Sequence, residues 1–216
     1  MILRRPTHRR TVFAWLAVLL AGLPTVVGRA QAGAPHPAEV VVRDLVAEVA
    51  RVVEQDDRHA GDDALVAALV PVLASRTDIA LIGRLVLGRH WRTAAPEERA
   101  AYQALFRGFM LRSLAGRLRP HAGANLGTDD SFTVLGARPV GRGDVIVATE
   151  VTPPGRPPLH IDWRLRETAG RYVIIDLVVE GVSLLVTQRQ EFSAVIERGG
   201  LQGLLDELRA RAPTSI

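Results

Sequence analysis

The residues able to do chemistry are few and scattered. Six histidines occur (8, 36, 59, 90, 121 and 160), with no H-E-x-x-H pair among them, and with no cysteine in the chain no thiolate can join a zinc site. His59 stands among Asp56, Asp57, Asp62 and Asp63, without the ordered one-three-five spacing of a calcium loop. That cluster reads as a solvated loop. Gly181-Val182-Ser183 invites comparison with the G-x-S-x-G nucleophile elbow, but the fifth residue is Leu185, so the motif fails. Ser183 reads instead as the cap of a following helix. Gly141-Arg142-Gly143 suits a hairpin turn, with no phosphate loop around it. Asp162 and Asp176 form the one imaginable carboxylate pair. Asp162 lies on a wet strand face, and Asp176 within an apolar strand reads as a hydrogen-bonded structural acid. The expectation is a protein without a catalytic centre, metal or cofactor.

The elements around these residues divide into a helical half and a strand half. Helical spacing of apolar residues covers 38–54, a segment after the polar loop 54–63 that breaks near Pro71, one from Thr77-Asp78 to Gly88, and a long one from Pro96 to Pro120. Asp62 or Asp63 is placed to cap the second of these. Strands follow. Phe132–Leu135 is short and GARPVGRGD (136–144) reads as a turn. Val145–Val151 is next, then the Pro-rich connection 152–158. Leu159, Ile161, Trp163 and Leu165 then alternate with His160, Asp162, Arg164 and Arg166, so one face is buried and one is wet. Tyr172–Val179 is apolar on both faces and reads as a central strand. Leu184–Arg198 and Leu201–Ala210 read as closing helices parted by Gly199-Gly200. The class is α+β: a curled four-stranded antiparallel sheet with about six helices packed on it.

Residues 1–10 carry four arginines and no acid, residues 11–27 are apolar and uncharged, and Ala30-Gln31-Ala32 supplies small residues. Together they read as a signal peptide over residues 1–32, leaving one domain over 33–216 in an exported protein. The five arginines of that leader, out of 27 basic residues, account for the basic balance; 22 remain against 23 Asp and Glu. This gives no support for a nucleic-acid surface. What stands out is apolar content, 48% of residues with few aromatics. Aliphatic walls suit acyl chains.

Two segments carry a family resemblance. LVLGRHWRTAAPEERAAYQALF (85–106) and DLVVEGVSLLVTQRQEFSAVIERGGLQGLLDEL (176–208) resemble the MlaC family of periplasmic phospholipid-binding proteins, and GRPPLHIDWRLRE (155–167) fits the same family's sheet hairpin. The resemblance implies an NTF2-like cradle and a monomeric carrier of phospholipid. It also implies two partners, an inner-membrane ABC transporter complex with an MCE-domain subunit and an outer-membrane lipoprotein–porin complex. A hopanoid carrier, a small NTF2-like enzyme using Asp176 or His160, and a ligand-free adaptor are the alternatives. The inward stripes nominate a lipid-facing set: Leu81, Leu85, Phe106, Phe109 and Leu114 from helices, and Val147, Val151, Ile161, Trp163, Ile175 and Leu177 from strands. Arg84, Arg89 and Arg92 read as solvated basic surface.

Overall fold

The computed structural model describes residues 34–55, 62–118, 131–153 and 155–211, with the backbone alone for 62–63 and 114–118. The leader expected at 1–32 and the loop holding His59 and its neighbouring acids lie outside the described residues. Among the described residues six α-helices and five strands follow in order: α1 Pro37–Gln55, α2 Asp62–Arg76, α3 Ile79–Leu87, α4 His90–Thr93, α5 Pro96–Leu118, β1 Phe132–Val140, β2 Asp144–Val151, β3 Leu159–Thr168, β4 Arg171–Val179, β5 Val182–Ser183 and α6 Leu184–Arg211. The strands form one antiparallel sheet in sequence order. The expected four strands are therefore five, the extra one being the two residues that carry Ser183.

Helix boundaries follow local chemistry. Asp78 caps α3 by accepting from the Leu81 N–H at 2.8 Å, and Gly88 ends it at φ 60°, where a side chain would be strained. At the start of α5 the Glu98 carboxylate accepts from the Ala95 N–H at 2.8 Å. Arg99 lies over the Trp91 ring and donates to the carbonyls of Trp91 and Arg92 at the end of α4. The conspicuous HWRT…PEER string is thus a helix-to-helix joint.

Two expectations need correction. The break near Pro71 does not occur, because α2 runs through it. Pro71 is exposed, so water can serve the carbonyl that loses its partner. The supposed turn at 136–144 is mostly strand: β1 continues to Val140 and only 141–143 turn. Pro139 is tolerated there because β1 is an edge strand. A bulge between Val134 and Gly136 pushes Leu135 outward, 58% exposed. Finally, β4 lies between two strands as expected of a central strand, but unevenly: β3 pairs along its length, whereas β5 pairs only with Val178 and Val179. It is apolar on both faces because α1, α2, α3 and α6 all contact it. The two expected C-terminal helices are α6 before and after a break at Gly200, whose φ of 66° and ψ of −178° interrupt the helix.

Candidate functional site

The inward face of the sheet is built by alternation. Cross-strand register sets Val145 beside Leu165, and Leu165 beside Ile174. The next row runs Ala137, Val147, Trp163, Leu177, and the one after it Val134, Thr149, Ile161 and, on β4, Val179. Phe132, Val151 and Leu159 end the series. A bulge opposite Arg164 and Leu165 leaves Ile175 unpaired and lets both Leu177 and Ile174 face the same way.

Burial along this face is graded. Val145, Leu165 and Ile174 are buried, as is Val147. Towards the other end Val134, Val151, Ile161 and Val179 are only half-buried, as is Leu177 beside Trp163, although Thr149 and Phe132 among them are buried. The sealed end is closed by helices. His36, just before α1, stacks edge-on against Tyr172 at 5.4 Å, and Thr77, just after α2, bridges to Ile174. Buried Val42, Leu45 and Val53 of α1, Leu65 and Leu69 of α2, and Leu111 of α5 pack with the sheet residues. Half-buried Val49 and Val52 of α1 and Val70 of α2 join the same layer.

One polar pair sits in this apolar layer. Thr149, 1% exposed, donates from its hydroxyl to the Ile161 carbonyl at 2.8 Å and accepts from the Trp163 indole N–H at 2.9 Å. Both buried groups are satisfied, and the indole is pinned in one orientation.

A second apolar cluster lies among the helices. Tyr102, Phe106 and Phe192 pack there with Val86, Leu87, Leu204, Leu205 and Leu208. Tyr102 stacks on Phe106 at 5.5 Å between centroids and donates to the Gly83 carbonyl at 3.0 Å; burial pushes its hydroxyl pKa up. The helices α3 and α5 meet so closely at Gly83 that an added Cβ would stand 2.9 Å from the Phe106 ring.

The set expected to line one site is therefore divided. Val147, Val151, Ile161, Trp163 and Leu177 belong to the sheet layer, while Phe106 and Phe109 belong to the helical cluster. Ile175 is buried at the β4 bulge, and Leu81 and Leu85 are half-buried on α3. The side chain of Leu114 lies outside the described residues. The open groove between α3 and α6 is lined by other residues, among them Arg89, Arg189 and Glu197. Sequence reasoning missed Val134, Val49, Val52 and Val70, which share the half-buried layer, and the Thr149 pin. Regular spacing marked Val49 and Val52 as inward but not as partly uncovered, and nothing in a strand threonine announces a pinned tryptophan.

The polar groups have structural partners. Ser183 donates to Asp176 at 2.6 Å and accepts from the Val186 N–H at 3.0 Å, while Asp176 accepts from the Leu185 N–H at 3.0 Å. Ser183 is the cap expected for α6, and Asp176 is the expected hydrogen-bonded acid that supports it. The Glu180-Gly181 pair, both at positive φ, makes the tight turn that delivers Ser183 there. On the sheet's other face Asp144, 0% exposed, is held by Arg164 at 2.6 Å and by Arg166 at 2.7 Å. Burial alone works to raise its carboxyl pKa, but the guanidinium hydrogen bonds win and the net shift is downward. His160 is exposed, 3.9 Å from Glu150. Among the described residues no cluster of three His, Asp or Glu is arranged to hold a metal ion, and no helix is long and apolar enough to cross a membrane.

Comparison with known proteins places this geometry. A solved phospholipid-binding protein from Ralstonia solanacearum, in complex with a phospholipid, aligns with a TM-score of 0.66 and 25% identity, covering 83% of this chain and 97% of that one. The model of the MlaC protein family matches residues 43–210. That match takes in every described strand, α2 to α5, nearly all of α6 and most of α1; the chain belongs to the MlaC family.

Proposed function

We propose that this protein is a periplasmic phospholipid carrier that shelters acyl chains between its sheet and helices while the headgroup stays in water. The observation that carries the reading is the half-buried aliphatic layer of Val134, Val151, Ile161 and Leu177 beside Trp163. The related Ralstonia protein, whose structure holds a phospholipid, supports the choice of ligand. Each methylene exposed to water costs about 0.8 kcal/mol, so a chain of about 16 carbons needs roughly 12 kcal/mol of shelter. A wall of branched aliphatics supplies that without any reacting group. Under this reading residues 1–32 are an export signal removed on entry to the periplasm. The carrier works in an Mla-type system, between an outer-membrane lipoprotein–porin complex and an inner-membrane MCE-domain ABC transporter. Direction of transfer then follows from relative affinity at the two partners.

The test places a charge in the half-covered layer. Ile161→Arg and Val151→Asp should leave a folded protein that has lost most of its co-purifying phospholipid, because a charge desolvated against acyl chains is costly. Undiminished phospholipid in both folded variants would remove this layer from the site.

A further inference from the structure

We propose that Trp163, held by Thr149, is the floor of the acyl compartment and limits the length of chain the protein accepts. The inference rests on the carrier reading above and adds a specificity determinant to it. Three observations carry it. Trp163 stands where the sheet's inward face changes in cover: on one side Val134, Val151 and Ile161 are half-buried around buried Thr149 and Phe132, and on the other Val145, Leu165 and Ile174 are all buried. It is itself nearly covered, at 9% exposure, so it belongs to the boundary. Its indole cannot swing aside freely, because Nε1 donates to Thr149 Oγ1 at 2.9 Å and that hydroxyl is in turn tied to the Ile161 carbonyl.

A chain laid along the half-covered side meets this ring, and past it stand buried Val145, Leu165 and Ile174. The residues beyond are packed under α1 and α2, with Tyr172 against His36 and Ile174 bridged to Thr77. Carbons in excess of the compartment must then stay in water. Each one lowers affinity about fourfold, equivalent to about 0.8 kcal/mol per methylene. Thr149 acts through the ring as a positioning residue. A valine there keeps the shape and drops the hydrogen bond; a serine keeps the bond.

The experiment offers the mature protein vesicles containing equal amounts of two phosphatidylcholines, with chains of about 14 and about 18 carbons, and measures the bound ratio by mass spectrometry. Trp163→Leu should raise the long-to-short ratio at least about fourfold, the value of one more sheltered methylene. Trp163→Phe, a smaller change that keeps an aromatic ring in the layer, should raise it less. Thr149→Val should move it in the same direction, and Thr149→Ser should restore the parent ratio. Folded variants that stay loaded with an unchanged ratio would overturn the floor while leaving the carrier reading intact. A parent protein that takes up neither lipid would overturn both.

Discussion

Replacing Ser183 by alanine separates a capping role of the Glu-Gly-Val-Ser segment from a direct role in holding lipid. The Ser183 hydroxyl accepts from the Val186 N–H and donates to Asp176, so the change removes two hydrogen bonds at the first turn of α6. Loss of the cap costs about 1 kcal/mol. Loss of the bond to the carboxylate adds about 1 kcal/mol, below the roughly 1.5–3 kcal/mol usual for charged partners, because half-buried Asp176 keeps the Leu185 N–H and can regain water. The sum is about 2 kcal/mol, worth about 1 M in the urea midpoint at a slope of roughly 2 kcal/mol per molar. Asp176→Asn should cost about 1 kcal/mol, and the double variant less than the two together, since the residues share a bond. The helix that starts here carries Phe192 and Leu204 into the helical cluster, so its loss is felt across the fold. Urea unfolding followed by circular dichroism, with lipid extraction from the same preparations, reads both effects. Ser183→Ala with an unshifted midpoint, or with full stability and no bound lipid, would refute the capping argument.

Two further perturbations test the scaffold. Asp144 has a depressed pKa, so its contribution is fully present above the ordinary carboxyl range and lost as pH falls through its folded value; unfolding followed down to acid pH should show a loss of stability that Asp144→Ala lacks. At neutral pH that variant should cost about 2 kcal/mol, below the 3–5 kcal/mol of a wholly buried pair, because Arg164 is 40% and Arg166 28% exposed and can hydrate. Gly83→Ala places a Cβ 2.9 Å from the Phe106 ring and should destabilise by about 1–3 kcal/mol in thermal unfolding, with lipid content per folded molecule unchanged.

Much of the fold could be read from local pattern. The alternation of Leu159, Ile161, Trp163 and Leu165 against His160, Asp162, Arg164 and Arg166 is a register-independent property of a strand, and β3 obeys it. Asp78 and Ser183 act as caps by chemistry available within three residues. The errors arose where tertiary context outranks local preference. Pro139 and Gly136 look like a turn, yet an edge strand needs fewer donors and accepts a bulge. Tyr172–Val179 is apolar on both faces because α1, α2, α3 and α6 contact it, and no local pattern says which helices do the covering. Asp144 looked like a turn residue, since nothing in its neighbours shows that Arg164 and Arg166 fold over it from 20 and 22 residues away. The candidate site was half legible for the same reason. Spacing shows that Phe106 and Val147 both face inward, but not that they face into different apolar clusters. Which aliphatics stay partly uncovered depends on where α1 and α2 end against the sheet, a property of the packed chain.

The central claim is that acyl chains occupy the layer between sheet and helices. Native mass spectrometry of the protein purified from its native host tests it most directly. The account predicts a bound mass matching one or more phospholipids, lost from Ile161→Arg. A lipid-free parent protein that also fails to draw phospholipid from vesicles would contradict it.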